Sequence, residues 1–208
     1  MTVDASSATS RRSRPSRTRV AVAALGAAAA VLAGVAGWRL VAGEEQAPYD
    51  DAASTGGLTL CSHGKPVTEG RTSERPFADV VVGETPLPAG TDPAGAVATL
   101  FAYQPREGIA ASEFSGSPLT AAARLVSPSR PAARVSTDSW TIGDFVTAFP
   151  ARFDGYVQLR LLGGTAELGT LTKAYDTADI RVEGDRWHLV RGGHASCKGA
   201  AGALADGS

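Results

Sequence analysis

FVTAFPARFDGYVQLRLL, residues 145–162, carries the clearest sheet signal in the chain. Asp154-Gly155 is a strong two-residue hairpin turn, and it stands between two runs rich in β-branched, aromatic and aliphatic residues. In the second run Val157, Leu159 and Leu161 share one face, while Gln158 and Arg160 point away. The alternation predicts a β-hairpin with one apolar face. Gly163-Gly164 then turns the chain into TAELGTLTKAY, where Gly169 interrupts the alternation at a position suited to a bulge. A second hairpin follows over ADIRVEGDRWHLVR (178–191), with Ile180 and Val182 matched to Trp187 and Leu189 across the turn.

Upstream of this meander the reading changes. Leu58 to Cys61 forms a short extended segment leading into the domain, and ADVVV (78–82) reads as a strand. Asp92 as cap, Pro93 at the first turn, and Val97, Leu100 and Phe101 on one face predict a helix ending at Gln104, before Pro105. Ser117 as cap and Pro118 predict a second helix running to Val126, stopped by Ser127-Pro128. Two helices followed by four to five antiparallel strands predict an α+β domain, with the helices packed on one face of a curved sheet.

The closing hairpin IRVEGDRWHLV (180–190) resembles the last hairpin of nuclear-transport-factor-2-like domains. The resemblance spans roughly residues 90–192 and rests on element order and this short motif; the long lead-in containing Cys61 departs from that fold. Basic tail, single span, linker and such a domain together are similar to the layout of actinobacterial membrane proteins. These include mammalian-cell-entry-associated proteins and scaffold subunits of conjugation and type IV secretion machines. The Arg-, Ala- and Gly-rich composition agrees with a high-GC bacterium.

The chain outside this domain sets its address. Residues 20–38, VAVAALGAAAAVLAGVAGW, carry no charge and lie between Arg19 and Arg39. At ~1.5 Å per residue they span roughly 28 Å, close to the ~30 Å hydrocarbon core of a bilayer. Five arginines precede them with only Asp4 in opposition, which predicts a cytoplasmic amino terminus and an extracytoplasmic remainder. The organisation predicted is a basic disordered tail (1–19), a transmembrane signal-anchor (20–38), a flexible acidic linker (39–57), the domain (58–198) and a disordered tail (199–208). Cleavage after Val41-Ala42-Gly43 is the alternative to retention. Gly26, Ala30 and Gly34, and likewise Ala29, Ala33 and Gly37, lie four apart and would suit helix pairing in a homo-oligomer; an alanine-rich helix also produces that spacing by chance.

Charge and composition exclude some classes. Beyond residue 39 there are 14 Lys and Arg against 20 Asp and Glu, a balance of about −6 that disfavours nucleic acid as a partner of the domain. With no asparagine in the chain, N-glycosylation has no acceptor. Cys61 and Cys197 lie near the two ends of the domain, and in an oxidising compartment they most simply form one disulfide. The neighbouring His63 and His194 leave open a Cys2His2 zinc set, although Cys61-Ser62-His63 is a tight ligand spacing.

Catalytic motifs are missing. There is no nucleophile elbow, phosphate loop or His-Glu-x-x-His, and the glycines near 163–169 do not match a dinucleotide loop. His188 alternates with Trp187 and Leu189 and is expected to face away from them. Asp144, Asp154 and Asp185 suit strand ends and turns, Ser115 and Ser117 a loop and a cap, and Trp140 and Trp187 core or rim packing. No cofactor, metal or catalytic residue is expected. The function expected is a non-enzymatic, single-pass membrane scaffold or accessory subunit of an envelope assembly such as a secretion, conjugation or transport complex. The alternative is a domain binding a small apolar ligand in a cone between helix and sheet.

Overall fold

The computed structural model describes residues 46–205. The expected membrane span, the basic tail and the Val41-Ala42-Gly43 site lie outside the described residues. In chain order the strands are β1 (Ser54–Ser62), β2 (Lys65–Pro66), β3 (Glu69–Arg71), β4 (Val80–Gly83), β5 (Val97–Gln104), β6 (Ser115–Pro118), β7 (Ala123–Arg124) and β8 (Ala132–Arg134). Helix α1 (Ile142–Ala148) comes next, and β9 (Tyr156–Thr165), β10 (Gly169–Thr170), β11 (Tyr175–Glu183) and β12 (Arg186–Arg191) complete the series. The main path of the sheet runs β6-β5-β9-β11-β1-β4-β8.

Strand β1, next to the central β11 on this path, serves two neighbours. The first part of β1 runs parallel to β11, with Gly56 beside Asp176 and Gly57 beside Thr177. Its second part runs antiparallel to β4, with Leu58 opposite Gly83 and Cys61 opposite Val80. β12 occupies the remaining edge of β11, and Ile180 faces Leu189 while Val182 faces Trp187, as the alternation predicts.

This architecture corrects the expected one. Among the described residues there is one α-helix and a twelve-stranded mixed sheet, not two helices on four to five antiparallel strands. The first expected helix is β5. Asp92 does accept a hydrogen bond from the Ala94 amide, but it closes a turn rather than starting a helix. Ala98, Leu100 and Ala102 then alternate into the core with Val97, Thr99, Phe101 and Tyr103 on the other side. Ala98 lies opposite Gly163, Leu100 opposite Leu161 and Ala102 opposite Leu159, so the buried face of β5 packs in register against that of β9. The second expected helix is replaced by β6 and β7, and Pro118 is tolerated because β6 is an edge strand.

The only α-helix among the described residues falls where a strand arm is expected. Thr141 caps α1: its hydroxyl accepts the Asp144 amide, and the Asp144 carboxylate accepts the Thr141 amide, each at 2.9 Å. Ile142 and Phe145 are fully buried, and Phe149 stacks on Phe145 at 5.0 Å between centroids. The i, i+4 spacing of the two phenylalanines therefore outranks their apparent alternation. A turn does form at Asp154 (φ 49°) and Gly155 (φ 80°), both in left-handed backbone, but it joins α1 to β9 rather than two strands of the expected hairpin.

One apolar cluster joins the elements, with Leu58, Leu60, Val81, Leu100, Leu159 and Ile180 all fully buried or nearly so. Burial of each such side chain stabilises by about 1.5–3 kcal/mol. The opposite face of β9 is a second interior. Gln158 and Arg160 do point away from the core, but they are 0% and 3% exposed. Residues 46–53 and the 3-10 turn Ala111–Glu113 are tied to this face: Tyr49 bonds Asp179, Asp51 pairs with Arg160, and Arg160 bonds the Ala111 carbonyl. Residues 46–57, expected in a flexible linker, thus belong to the fold, and β1 starts inside that stretch. Residues 199–205 likewise hold a 3-10 turn, Ala200–Ala203, and Leu204 bridges to Leu125.

Candidate functional site

Two polar constellations lie at opposite faces of β11, because neighbouring residues of a strand point to opposite sides. Tyr175, Thr177 and Asp179 face the covered polar side; Asp176, Ala178 and Ile180 face the apolar side. Asp176 is therefore a carboxylate in register with core residues, paired across the sheet with Leu161.

Asp176 is one of the residues lining a cleft of about 460 Å³. The walls come from Thr85 to Pro88 after β4, from Leu161 and Gly163 on β9, and from the 171–174 connection into β11. Hydrogen bonds from the Leu87 amide to the Pro128 carbonyl and from the Leu171 amide to the Gly163 carbonyl, both 2.8 Å, hold two of these walls. Gly163 matters here because a Cβ would run into the Leu87 side chain. The lining is mainly apolar, with threonine hydroxyls from Thr55, Thr85 and Thr170 and with Lys173 on the exposed rim.

The carboxylate is confined. Asp176 is 2% exposed, and its Oδ2 accepts the Thr85 amide at 2.8 Å. Its Oδ1 has no hydrogen-bond partner. Gly56 and Gly83 flank it, and a Cβ on either would collide with a carboxylate oxygen. Both glycines thus hold open the space that the carboxylate fills.

Across the strand the charged groups of the polar interior are paired, while Gln158 Nε2 has no hydrogen-bond partner. Arg160 donates through Nε to Gln158 Oε1 (2.6 Å) and through Nη2 to the Ala111 carbonyl (2.8 Å), and it lies 3.5 Å from Asp51 Oδ2. Its guanidinium sits over the Tyr103 ring at 3.9 Å and the Tyr175 ring at 4.8 Å. The Tyr175 hydroxyl donates to Asp51; burial pushes its pKa above the ordinary phenol value, opposed by Arg160 and reinforced by Asp51. Asp179 accepts the Tyr49 hydroxyl and Arg191 Nε, both at 2.6 Å. Burial still raises its pKa, against the lowering effect of those two partners and Gln158. Tyr49 is raised by burial first and by the Asp179 charge second.

The residues singled out in the sequence fall as follows. Cys61 and Cys197 form a disulfide that ties the end of β1 to the segment after β12, and both are buried. With the sulfurs bonded to each other, the Cys/His set has no thiolate to offer a zinc ion. His63 is solvent-facing, beside Ser62 Oγ at 3.0 Å, and the His194 amide donates to Glu84. Glu84 also accepts the Gly57 amide, and these two backbone donors hold its pKa below the usual carboxylate range. Among the described residues no group of three or more His, Cys, Asp and Glu is arranged for a metal. Asp144 caps α1, Asp154 makes the turn and Asp185 pairs with exposed Arg71. His188 stands in register between Arg181 and Glu69 on β12, Ser115 and Ser117 are on edge strand β6, Trp187 is core and Trp140 is a rim residue.

Asp176 was not among these residues. Its signal is nonetheless present: carrying the Ile180 and Ala178 alternation back by one more step places a carboxylate on the apolar face. No family model, curated protein or solved structure matches the chain.

Proposed function

We propose that this domain is a non-enzymatic binding module, held at the outer face of a membrane by residues 20–38, that takes a small and largely apolar molecule in the cleft that Asp176 helps to line. One observation carries the reading. A carboxylate that is 2% exposed with one oxygen unpaired costs stability in a domain that needs only to fold. Here that residue helps to line a cleft of about 460 Å³, within the size range of small-molecule sites. Catalysis draws no comparable support, because no histidine lines the cleft and the Tyr175 hydroxyl is committed to Asp51.

A scaffold role would call for a contiguous apolar surface. Among the described residues the large exposed apolar side chains are Ile109, Val126, Trp140 and Leu168, each on a different connection, and Leu168 belongs to the cleft wall. The ligand site is thus the better-supported role for this domain, at a position other than the helix–sheet cone expected from the sequence.

The test is a titration of the full chain, in nonionic detergent, with the fluorescent apolar probe N-phenyl-1-naphthylamine. Ala174 lies exposed on the cleft wall, so Ala174→Trp fills the cleft without entering the core. Both proteins carry the same amino-terminal segment, and the difference between them reports the cleft alone. Saturable binding that Ala174→Trp weakens is the expected result. Identical titrations would refute the proposal.

A further inference from the structure

We infer that the ligand of this cleft carries a cationic nitrogen, a protonated amine on a small hydrocarbon body, which meets the Asp176 carboxylate. The inference rests on the cleft being a ligand site and adds the chemistry of the ligand.

Among the described residues three carboxylates are buried: Asp51, Asp176 and Asp179. Asp179, 0% exposed, has Arg191 and the Tyr49 hydroxyl. Asp51, with a side chain 2% exposed, has Arg160 and the Tyr175 hydroxyl. Asp176 is equally buried and has only the Thr85 amide. Among the described residues no Lys or Arg pairs with it, and Lys173 stands on the exposed rim. A buried carboxylate requires a cation or a proton, and the protein supplies the first to two of three. The missing cation is the complement that a ligand can bring.

The walls agree with a short amine. Leu87, Leu161 and Leu171 give the hydrocarbon body its contacts, and Thr55, Thr85 and Thr170 offer hydroxyl oxygens that can accept further ammonium protons. An anionic ligand would meet Asp176 with no buried cation to offset it. The acidic balance of about −6 beyond residue 39 also favours approach of a cation. The Thr85 amide holds Asp176 Oδ2 at 2.8 Å, which orients the carboxylate before the ligand arrives.

The experiment is displacement of N-phenyl-1-naphthylamine from the full chain at neutral pH by hexylamine and by 1-hexanol. These are matched in length, and at that pH the amine is protonated, as a lysine is. Each displacement is read relative to Ala174→Trp, which removes partition into detergent. Hexylamine is expected to displace the probe at a concentration about tenfold or more below that of hexanol, the value of one charge-assisted hydrogen bond. The preference should vanish in Asp176→Asn while hexanol displacement is retained. The wild-type ratio stands by itself should that variant not fold. Equal displacement by both compounds, still sensitive to Ala174→Trp, would overturn the cationic ligand and leave the cleft as a site for neutral molecules; a preference that survives in folded Asp176→Asn would overturn it too. Probe binding unaffected by Ala174→Trp, with displacement by neither compound, would remove the cleft reading and this inference together.

Discussion

Replacing Arg160 with methionine tests the buried polar interior that binds residues 46–53 to the sheet. The substitution keeps an apolar stem and removes the guanidinium, which is 4% exposed at the side chain. Two hydrogen bonds of 2.6 and 2.8 Å are lost, together with the ion pair to Asp51 and the contact over the Tyr103 ring. Removing one partner of a buried pair costs about 3–5 kcal/mol, chiefly because the other charge stays buried. Asp51 keeps two donors, the Tyr175 hydroxyl at 3.0 Å and the Ala53 amide at 3.1 Å, which places the expected loss at the lower end, about 3–4 kcal/mol. With a urea slope of about 2 kcal/mol per molar, the midpoint should fall by roughly 1.5–2 M. Trp187, 1% exposed and edge-on to Phe77, supplies a fluorescence signal for unfolding of the core. The exposed pair of Arg71 and Asp185 is the control, and Arg71→Ala should cost only about 0–1 kcal/mol. Asp51→Asn combined with Arg160→Met should cost less than the two single changes added, by about 1 kcal/mol or more. A loss in Arg160→Met no larger than in Arg71→Ala, or strict additivity in the double variant, would refute the argument that this pair docks the segment.

Three further outcomes follow from the same structure. Reduction, or Cys61→Ala with Cys197→Ala, opens a link of 136 residues and should lower stability by up to ~5 kcal/mol on the chain-entropy account, read as a lower urea midpoint. The carboxylates act in opposite senses with pH. Glu84, held down by the His194 and Gly57 amides, and Asp144, held down by the Thr141 amide and hydroxyl, stabilise above the ordinary carboxylate pKa, and that contribution fades as pH falls through their lower folded values. Asp179 is pushed up by burial, so its contribution is greatest below the ordinary value and declines as pH rises through the folded one; NMR titration of the three carboxyls checks the directions, and an Asp179 that titrates low would contradict them. Gly83→Ala drives a Cβ into the Asp176 carboxylate and should cost about 1–3 kcal/mol while weakening probe binding in the cleft; unchanged stability and binding would show that the carboxylate is free to move.

What could be read locally follows from how strongly the chemistry alternates. The 178–191 hairpin is legible because Ile180, Val182, Trp187 and Leu189 alternate with charged or polar neighbours on both arms. Asp154-Gly155 is legible because few residues accept left-handed backbone. β5 is not, since VATLFAYQ sets small Ala98 and Ala102 beside Leu100, and alanine suits a helix as well as a crowded strand face. Its strand state is decided by β9, along which it pairs from Val97 to Tyr103, with Ala102 opposite Leu159 and Leu100 opposite Leu161. For α1, the Thr141-x-x-Asp144 box was there to be read, but the phenylalanines after it pass equally for a strand.

The sequence alone determined the uncharged run at residues 20–38 with its flanking arginines, the charge reversal beyond it, and the cysteine pair whose simplest state is a disulfide. Each depends on composition or on chemistry that needs no neighbour. Tertiary structure decided which residues lie inside. Gln158 and Arg160 alternate like a solvent face, yet residues 46–53 fold back and bury them, because Asp51 and Tyr49 find their partners more than a hundred residues away. The same long-range pairing sets the glycines of β1 and β4 around Asp176 and makes the cleft. A carboxylate on an apolar face shows in a pattern of alternation; whether it has a cation beside it depends on contacts that only the folded chain brings together.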